Sequence, residues 1–233
     1  MGQSPQAVAT APAYARRMSL RKRFFAATYD RMSRKTEEAG LRDMRHGLLA
    51  ELGGSVLEIG GGTGANLLHY DGKIESLMLT EPDPSMLRRL QRKAREQAPL
   101  AKVLRAPAED LPFEDGIFDT VVSTLVLCGV DDQERSLREV RRVLRPGGQL
   151  LFLEHVRSDD AHFARFQDRM NWLNRLVVGC DCNRPTLATI EATGFTVSRL
   201  AHSELPKAPK FVRPLIVGAA VAGQVEALRE TSV

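Results

Sequence analysis

A glycine-rich segment between two carboxylates is the part of the sequence whose residue types point most directly to chemistry. Residues 56–65 read Val-Leu-Glu-Ile-Gly-Gly-Gly-Thr-Gly-Ala. Because glycine has no Cβ, a strand that runs into such a turn brings its backbone close to a ligand. Glu81 lies about 20 residues further on, where a carboxylate accepts hydrogen bonds from ribose hydroxyls. The segment therefore predicts a nucleoside-binding site.

The charges around the glycine turn distinguish between two kinds of ligand that such a turn binds, a pyrophosphate and a cationic nucleoside. The segment fits G-x-G-x-x-A, so an oxidoreductase that uses NAD remains an alternative. Glu58, at the end of the first predicted strand, is expected to repel a pyrophosphate and to favour a ligand that carries an ammonium and a sulfonium. Residues 108–119 form an acidic turn, which is unsuited to phosphates and suited to an adenine amino group. The charges thus favour a cationic nucleoside donor.

Alternating strand and helix patterns must position these residues. The sequence predicts strands at 55–59, 76–80, 102–105, 118–125 and 149–155. It predicts helices that begin at 66, span 84–97 and span 131–144, and two further helices over 161–178 and 186–193. Two closing strands, at 196–202 and 211–221, are expected to form an antiparallel hairpin at the sheet edge. The fold class is therefore α/β, with a doubly wound, mostly parallel, seven-stranded sheet.

Composition indicates an ordinary globular protein. The chain has 233 residues, of which 43% are hydrophobic and 27% are charged. Three cysteines (Cys128, Cys180 and Cys182) are too few for a disulfide framework and favour a reducing, cytoplasmic compartment. The longest apolar run, after Pro214, is shorter than the roughly 20 residues of a membrane span. We therefore expect no stable membrane insertion.

The positive charge is concentrated near the start of the chain. Residues 1–46 hold ten Lys or Arg against four Asp or Glu. No aromatic interleaving accompanies them, so we interpret the segment as a solvated tail followed by an amphipathic helix and expect no nucleic-acid partner. The predicted organisation is a disordered basic arm over 1–19, a single domain with N-terminal lid helices over 20–225, and a tail over 226–233. Oligomeric state is left open.

Several motifs, in their order along the chain, carry a family resemblance. They are E-x-G-G-G-T-G at 58–64, Glu81, A-E-D-L-P-F at 108–113 and R-V-L-R-P-G-G at 142–148. Together they resemble the class I S-adenosylmethionine-dependent methyltransferases, over about residues 20 to 225. Within that class, residues 123–128, Glu154-His155-Val156 and Gly179-Cys180-Asp181 with Arg184 are most similar to the methyltransferase-like thiol S-methyltransferases of mammals. Quinone C-methyltransferases and bacterial phospholipid N-methyltransferases are more distantly similar.

The resemblance implies a Rossmann-like methyltransferase fold, S-adenosylmethionine as cofactor and a small-molecule acceptor. It implies these cofactor-binding residues: Glu58, Gly60, Gly62, Gly64, Glu81, Pro82, Ala108, Glu109, Thr124 and Leu125. The chain departs from the family where Pro107 replaces an aspartate that often meets the adenine. The mammalian relatives also have an apolar N-terminal anchor that this sequence lacks, so membrane association is not carried over.

Four residues are candidates on the acceptor side. His155, at the end of the fifth strand, is a candidate general base or orienting group, with a structural histidine as the alternative. Tyr29 resembles lid residues of related enzymes. Asp181 and Arg184 either meet a polar acceptor group or cap the helix at Thr186.

Thiol sulfur is the favoured acceptor atom, because a thiol needs only modest help to ionise. Oxygen, nitrogen or carbon centres of a metabolite, quinone or lipid headgroup remain alternatives, as does a module that binds without turnover. Cys180 and Cys182 have no further ligand at metal spacing, so we predict no metal site.

Overall fold

The computed structural model describes residues 31, 33–70 and 73–223. Within them, seven strands form one sheet in the order β3-β2-β1-β4-β5-β7-β6. The strands are β1 (Gly54–Ile59), β2 (Ile74–Thr80), β3 (Lys102–Leu104), β4 (Phe118–Thr124), β5 (Leu144–His155), β6 (Phe195–Glu204) and β7 (Pro214–Ala222). Strands β1 to β5 pair in parallel, whereas β7 runs antiparallel to both β5 and β6. The predicted fold class and its closing hairpin are confirmed.

Helices cover both faces of the sheet. They are α1 (Arg42–Leu49), α2 (Pro84–Gln97), α3 (Gln133–Val143), α4 (Ala161–Val177) and α5 (Thr186–Ala192). One buried cluster joins Leu137 and Ile190, from α3 and α5, to one face. A second cluster joins Leu48 and Leu90, from α1 and α2, to the other. Apolar residues on both faces explain the nearly continuous hydrophobic runs of the central strands.

Aspartate caps set the starts of three helices on the carboxyl side of the sheet. The Asp83 carboxylate accepts hydrogen bonds from the amides of Ser85 and Met86 at 2.8 and 3.2 Å. Asp132 caps α3 and Asp160 caps α4 in the same way. A side-chain oxygen at this position satisfies amides that have no partner within the helix. The loops before these helices are therefore held in one geometry.

Two predicted elements differ from the structure. The helix expected to begin at Asn66 is a single 3₁₀ turn, Leu67–His69, because Tyr70 is extended and ends it. The fifth strand begins at Leu144 rather than at 149, because Leu144 pairs with Phe118 before a register shift in the β4–β5 ladder. Of the N-terminal lid helices predicted from residue 20, the structure shows helical residues 33–36, a π-helical turn, Glu37–Leu41, and α1. Residues 20–30 lie outside the described residues.

Candidate active site

The glycine loop leaves β1 at the carboxyl edge of the sheet. Gly60 and Gly62 have φ values of 58° and 56°, which side chains rarely adopt. A Cβ at Gly60 would lie 2.6 Å from Cγ1 of Val126, so the loop packs directly against the segment that follows β4. At Gly62 the nearest atom to such a Cβ is a backbone oxygen 3.9 Å away. The loop therefore needs glycine for packing at Gly60, whereas Gly62 has room for a Cβ and leaves its backbone partly exposed.

Glu81 fastens this loop to the end of β2. One carboxylate oxygen accepts a hydrogen bond from the Gly62 amide at 2.9 Å, and the other accepts one from the Asp83 amide at 2.8 Å. Burial raises the pKa of Glu81 to about 7, and the nearby charges of Asp83 and Glu58 act in the same direction. A carboxylate that is 5% exposed and held by two amides still has lone pairs for further donors.

A buried polar network lies beneath the loop. Both oxygens of Glu58 are engaged, because Asn66 Nδ2 donates to Oε1 at 2.9 Å and the Tyr70 hydroxyl donates to Oε2 at 2.7 Å. Arg45, on α1, donates to Asn66 Oδ1 at 2.9 Å and to Thr124 Oγ1 at 2.8 Å. Asn66 also donates to Thr124 at 3.0 Å. The network therefore ties the ends of β1 and β4 to α1.

The network changes the electrostatic interpretation of Glu58. Burial raises the pKa of Glu58, whereas the hydrogen bond from Tyr70 and the charge of Arg45 lower it. Arg45 is 3% exposed, so its charge acts at short range in a region of low dielectric. The negative charge expected from Glu58 is thus partly offset by Arg45.

The predicted adenine side follows β2 and β3. The carbonyl of Pro82 accepts a hydrogen bond from Arg105 Nε at 3.2 Å, and Ala108 is buried in the hydrophobic core. Glu109 accepts hydrogen bonds from the amides of Asp131 and Asp132 at 2.8 and 3.3 Å. These contacts tie the acidic turn to the start of α3.

Glu154 holds the loop that follows β4. Its Oε1 accepts a 2.6 Å hydrogen bond from the Ser123 hydroxyl and a 3.1 Å bond from the Val126 amide. Burial raises the pKa of this fully buried carboxyl to about 6. Leu125, within the same loop, has a φ of 59°, which is strained for a residue with a side chain. The sequence analysis used Glu154 as part of the motif Glu154-His155-Val156 and gave it no role, because its partners are 28 to 31 residues away in the sequence.

His155 is a neutral, buried side chain at the end of β5. Burial lowers its pKa to about 4, and its ring hydrogen-bonds to the backbone of Val212. Nδ1 has no partner among the described residues. Because alternate residues of a strand face opposite sides, His155 and Glu154 point to different faces of the sheet. The structure thus separates His155 from the Glu154 loop.

Asp181 and Arg184 are bound to each other and to the β4 loop. Arg184 Nη2 donates to Asp181 Oδ2 at 2.9 Å, and Asn171 Nδ2 donates to Asp181 Oδ1 at 2.8 Å. Arg184 also donates to the carbonyls of Leu127 and Val130 at 3.1 and 2.8 Å. The alternative that these side chains cap the following helix is wrong, because α5 has no side-chain cap. They brace the loop instead.

Three further expectations concern the lid residue, a metal site and a membrane span. Tyr29, the predicted lid residue, lies outside the described residues. Across the described ranges, no group of three or more His, Cys, Asp or Glu side chains is arranged to hold a metal ion. No helix in the same ranges has the length and apolar character that a membrane crossing requires.

Comparisons with known proteins decide the family. Residues 57–152 match the model of a methyltransferase domain. Human thiol S-methyltransferase TMT1A is 37% identical over 173 residues, which are 72% of this chain and 70% of that protein. Thiol S-methyltransferase TMT1B of Rattus norvegicus is 32% identical over 84% of this chain and 82% of its own length. The chain is a class I S-adenosylmethionine-dependent methyltransferase.

Solved structures confirm the methyltransferase fold. Geranyl diphosphate C-methyltransferase from Streptomyces coelicolor, solved with S-adenosyl-L-homocysteine, has a TM-score of 0.62 at 13% identity and covers 78% of this chain and 76% of its own. The YcgJ protein of Bacillus has a TM-score of 0.65 at 18% identity, over 78% of this chain and 99% of its own. Identities this low show the fold alone. The cofactor of this methyltransferase is S-adenosylmethionine.

The residues present fit that cofactor. The open space above Gly62 suits the close approach of a ligand to the backbone. Glu81, with its two amide donors, retains acceptor capacity for ribose hydroxyls. The neighbouring carboxylates of Glu81 and Asp83 suit a ligand whose sulfonium and ammonium are positive.

Proposed function

We propose that this methyltransferase acts on the thiol sulfur of a small molecule, in a cleft at the carboxyl edge of the sheet, above the glycine loop and the loop after β4. The proposal rests above all on the similarity to thiol S-methyltransferases, which extends over 173 to 204 residues. Phosphatidylethanolamine N-methyltransferase of Cereibacter sphaeroides is 30% identical over 150 residues. A quinone C-methyltransferase of Klebsiella pneumoniae is 39% identical over only 107 residues.

The contacts of the candidate bases support a thiol. His155 is buried and bonded to Val212, and Asp181 is bonded to both Arg184 and Asn171. Neither group is therefore ready to remove a proton from an alcohol, whose hydroxyl is a far weaker acid than a thiol. A thiol is a much stronger acid than an alcohol, and a cysteine-like thiol, with a free pKa near 8.5, already yields some thiolate at neutral pH. Of the candidate acceptor atoms, a thiol sulfur thus needs the least help from these residues in losing its proton.

The chain's own residues have separable tasks in this proposal. Glu81, with Pro82 beside it, holds the ribose, and the bare backbone from Gly60 to Gly64 lies against the methionine part. Ala108 and Glu109 flank the adenine, and Thr124 and Leu125 line the cleft. When bound, S-adenosylmethionine supplies a methyl group that its sulfonium already activates. The protein then contributes in-line positioning and exclusion of water.

The test compares acceptors that differ only at the reacting atom. Initial rates are measured with labelled S-adenosylmethionine and 1-butanethiol, 1-butanol or 1-butylamine, with enzyme-free reactions subtracted. We expect kcat/KM for the thiol to exceed that for the other two by at least about a hundredfold, which is about 2.7 kcal/mol. A ubiquinol analogue and phosphatidylethanolamine vesicles represent the other relatives. Faster methylation of any of these four competitors would overturn the thiol assignment.

A further inference from the structure

Two thiols, those of Cys128 and Cys180, lie close to each other at the loop after β4. Cys128 lies within the loop after β4 and is 1% exposed, whereas Cys180 follows α4 and is partly exposed. The two residues lie side by side, because the amide that follows Cys180 donates to the Cys128 carbonyl, and each thiol shifts the pKa of the other. Both cysteines are free thiols in this structure.

The backbone around the pair is fixed by contacts on both sides. The Asp181 amide donates to the Cys128 carbonyl at 2.8 Å. Arg184 bonds to the carbonyls of Leu127 and Val130, which lie on either side of Cys128. A Cβ built at Gly129 would lie 4.0 Å from Cβ of Cys180. The segments that carry Cys128 and Cys180 are therefore held side by side.

The two sulfurs differ in acidity and in access. The neighbouring Cys128 thiol lowers the pKa of Cys180, and Asn174 Nδ2 donates to the Cys180 sulfur at 3.2 Å. The Cys128 pKa is raised well above its usual value by the Cys180 thiol and by burial. Since the thiolate is the nucleophile, we expect the Cys180 sulfur to react first with an oxidant.

We propose that Cys128 and Cys180 form a dithiol site that a hydroperoxide converts to a reversible disulfide between the two loops. The Cys180 thiolate attacks the terminal peroxide oxygen, the O–O bond breaks, and the sulfur becomes a sulfenic acid while water or an alcohol leaves. The Cys128 sulfur then displaces the hydroxyl group, which leaves as water with the Cys128 proton. Two thiols are oxidised by two electrons, and one hydroperoxide is reduced. The site does not depend on the identity of the methyl acceptor.

Cys182 provides a matched control. It lies two residues from Cys180 but is completely buried, and its sulfur faces Asn171 Oδ1 at 3.6 Å. Burial raises the Cys182 pKa to about 12. We therefore expect it to take no part in the oxidation.

The experiment treats the full chain with one equivalent of hydrogen peroxide, blocks free thiols with iodoacetamide and maps peptides without reduction. We expect a cross-linked peptide that joins Cys128 to Cys180, loses two hydrogens and separates on treatment with dithiothreitol. Cys182→Ser should retain the cross-link. Cys128→Ser should instead accumulate a sulfenic acid at Cys180, which dimedone traps, and Cys180→Ser should yield neither product.

Several results would overturn the proposal. They are a disulfide between Cys180 and Cys182, a disulfide between two chains, or a Cys128 that stays alkylatable while Cys180 oxidises further. Asn174→Leu tests the acidity argument separately, because it removes the donor to the Cys180 sulfur, and with it a 2.9 Å bond to the Cys180 carbonyl, without altering either thiol. We expect it to slow formation of the cross-link several-fold, and an unchanged rate would contradict the order of attack.

Discussion

Replacing Glu81 with glutamine should separate cofactor binding from folding. The wild-type carboxylate accepts from the amides of Gly62 and Asp83, one on each oxygen, and in our proposal it also accepts from the ribose. Glutamine has one oxygen and one NH₂ group, so it cannot accept from both amides. It also turns a charged acceptor for the ribose into a neutral one. A hydrogen bond to a charged group contributes about 1.5 to 3 kcal/mol, and an unsatisfied buried donor costs a similar amount.

We therefore expect Glu81→Gln to weaken binding of S-adenosylhomocysteine by about 2 to 4 kcal/mol, or roughly 30-fold to 700-fold in Kd. Titration calorimetry at pH 8, where the wild-type carboxyl is ionised, measures this change. Burial raises the folded-state pKa of Glu81, so the group lowers folding stability as pH rises through about 7. In the glutamine variant the loss of that charge and the one unpaired amide act in opposite directions, so its urea midpoint at pH 8 should be close to that of the wild type.

The pH dependence provides an internal check. Because the charged carboxylate binds the ribose, wild-type affinity should fall as pH falls through about 7, by about tenfold between pH 8 and pH 6. The variant should show no such change. Glu75→Gln removes an exposed carboxylate from the same strand and should leave Kd unchanged. Equal affinity of wild type and Glu81→Gln at pH 8, or equal weakening by the control, would refute this reasoning.

Three further predictions concern folding and are read from urea unfolding. Arg45→Met leaves Asn66 and Glu58 without their buried cation and should lower the free energy of unfolding by about 3 to 5 kcal/mol. Arg42 is an exposed neighbour of Arg45, and Arg42→Met should change the free energy of unfolding by less than about 0.5 kcal/mol. Gly60→Ala places a Cβ on a residue with an unfavourable φ and against Val126, so it should lower the free energy of unfolding by about 2 to 5 kcal/mol. At Gly147 the φ is 78° but no atom lies within 4 Å of an added Cβ, so Gly147→Ala should lower it by only about 1 to 2 kcal/mol. The pKa of His155 is about 4 in the folded state and about 6.5 in the unfolded chain, so the unfolded chain takes up a proton first. The free energy of unfolding therefore falls as pH falls from about 6.5 to 4. His155→Phe should therefore reduce the loss of stability between pH 6.5 and 5 by about 2 kcal/mol, whereas exposed His202→Gln should not.

The elements were predictable because their signals are local. The helix over 84–97 begins at Pro84 after a capping aspartate, and its predicted bounds match the structure. The nucleoside site was predictable for the same reason, because its signals are local: glycines come directly after β1 and a carboxylate comes directly after β2. The topology follows from the alternation of strands and helices.

The network beneath the loop could not be predicted, because its pairs are distant in sequence. Arg45 and Thr124 are 79 residues apart, and no local pattern records their contact. Arg45 also lies in the basic part of the chain that the charge pattern described as solvated, yet it is buried. The spacing of Asn66 and Tyr70 behind the glycine turn was the one available signal. It was interpreted as the start of a helix, whereas both side chains bind Glu58.

The thiol acceptor is tested most directly by one molecule that carries both competing atoms. In 2-mercaptoethanol a thiol and a hydroxyl share one carbon skeleton, so access to the cleft is the same for both. Mass spectrometry of the product formed with labelled S-adenosylmethionine should locate the methyl group on sulfur. Enzyme-dependent methylation of the oxygen would contradict the account.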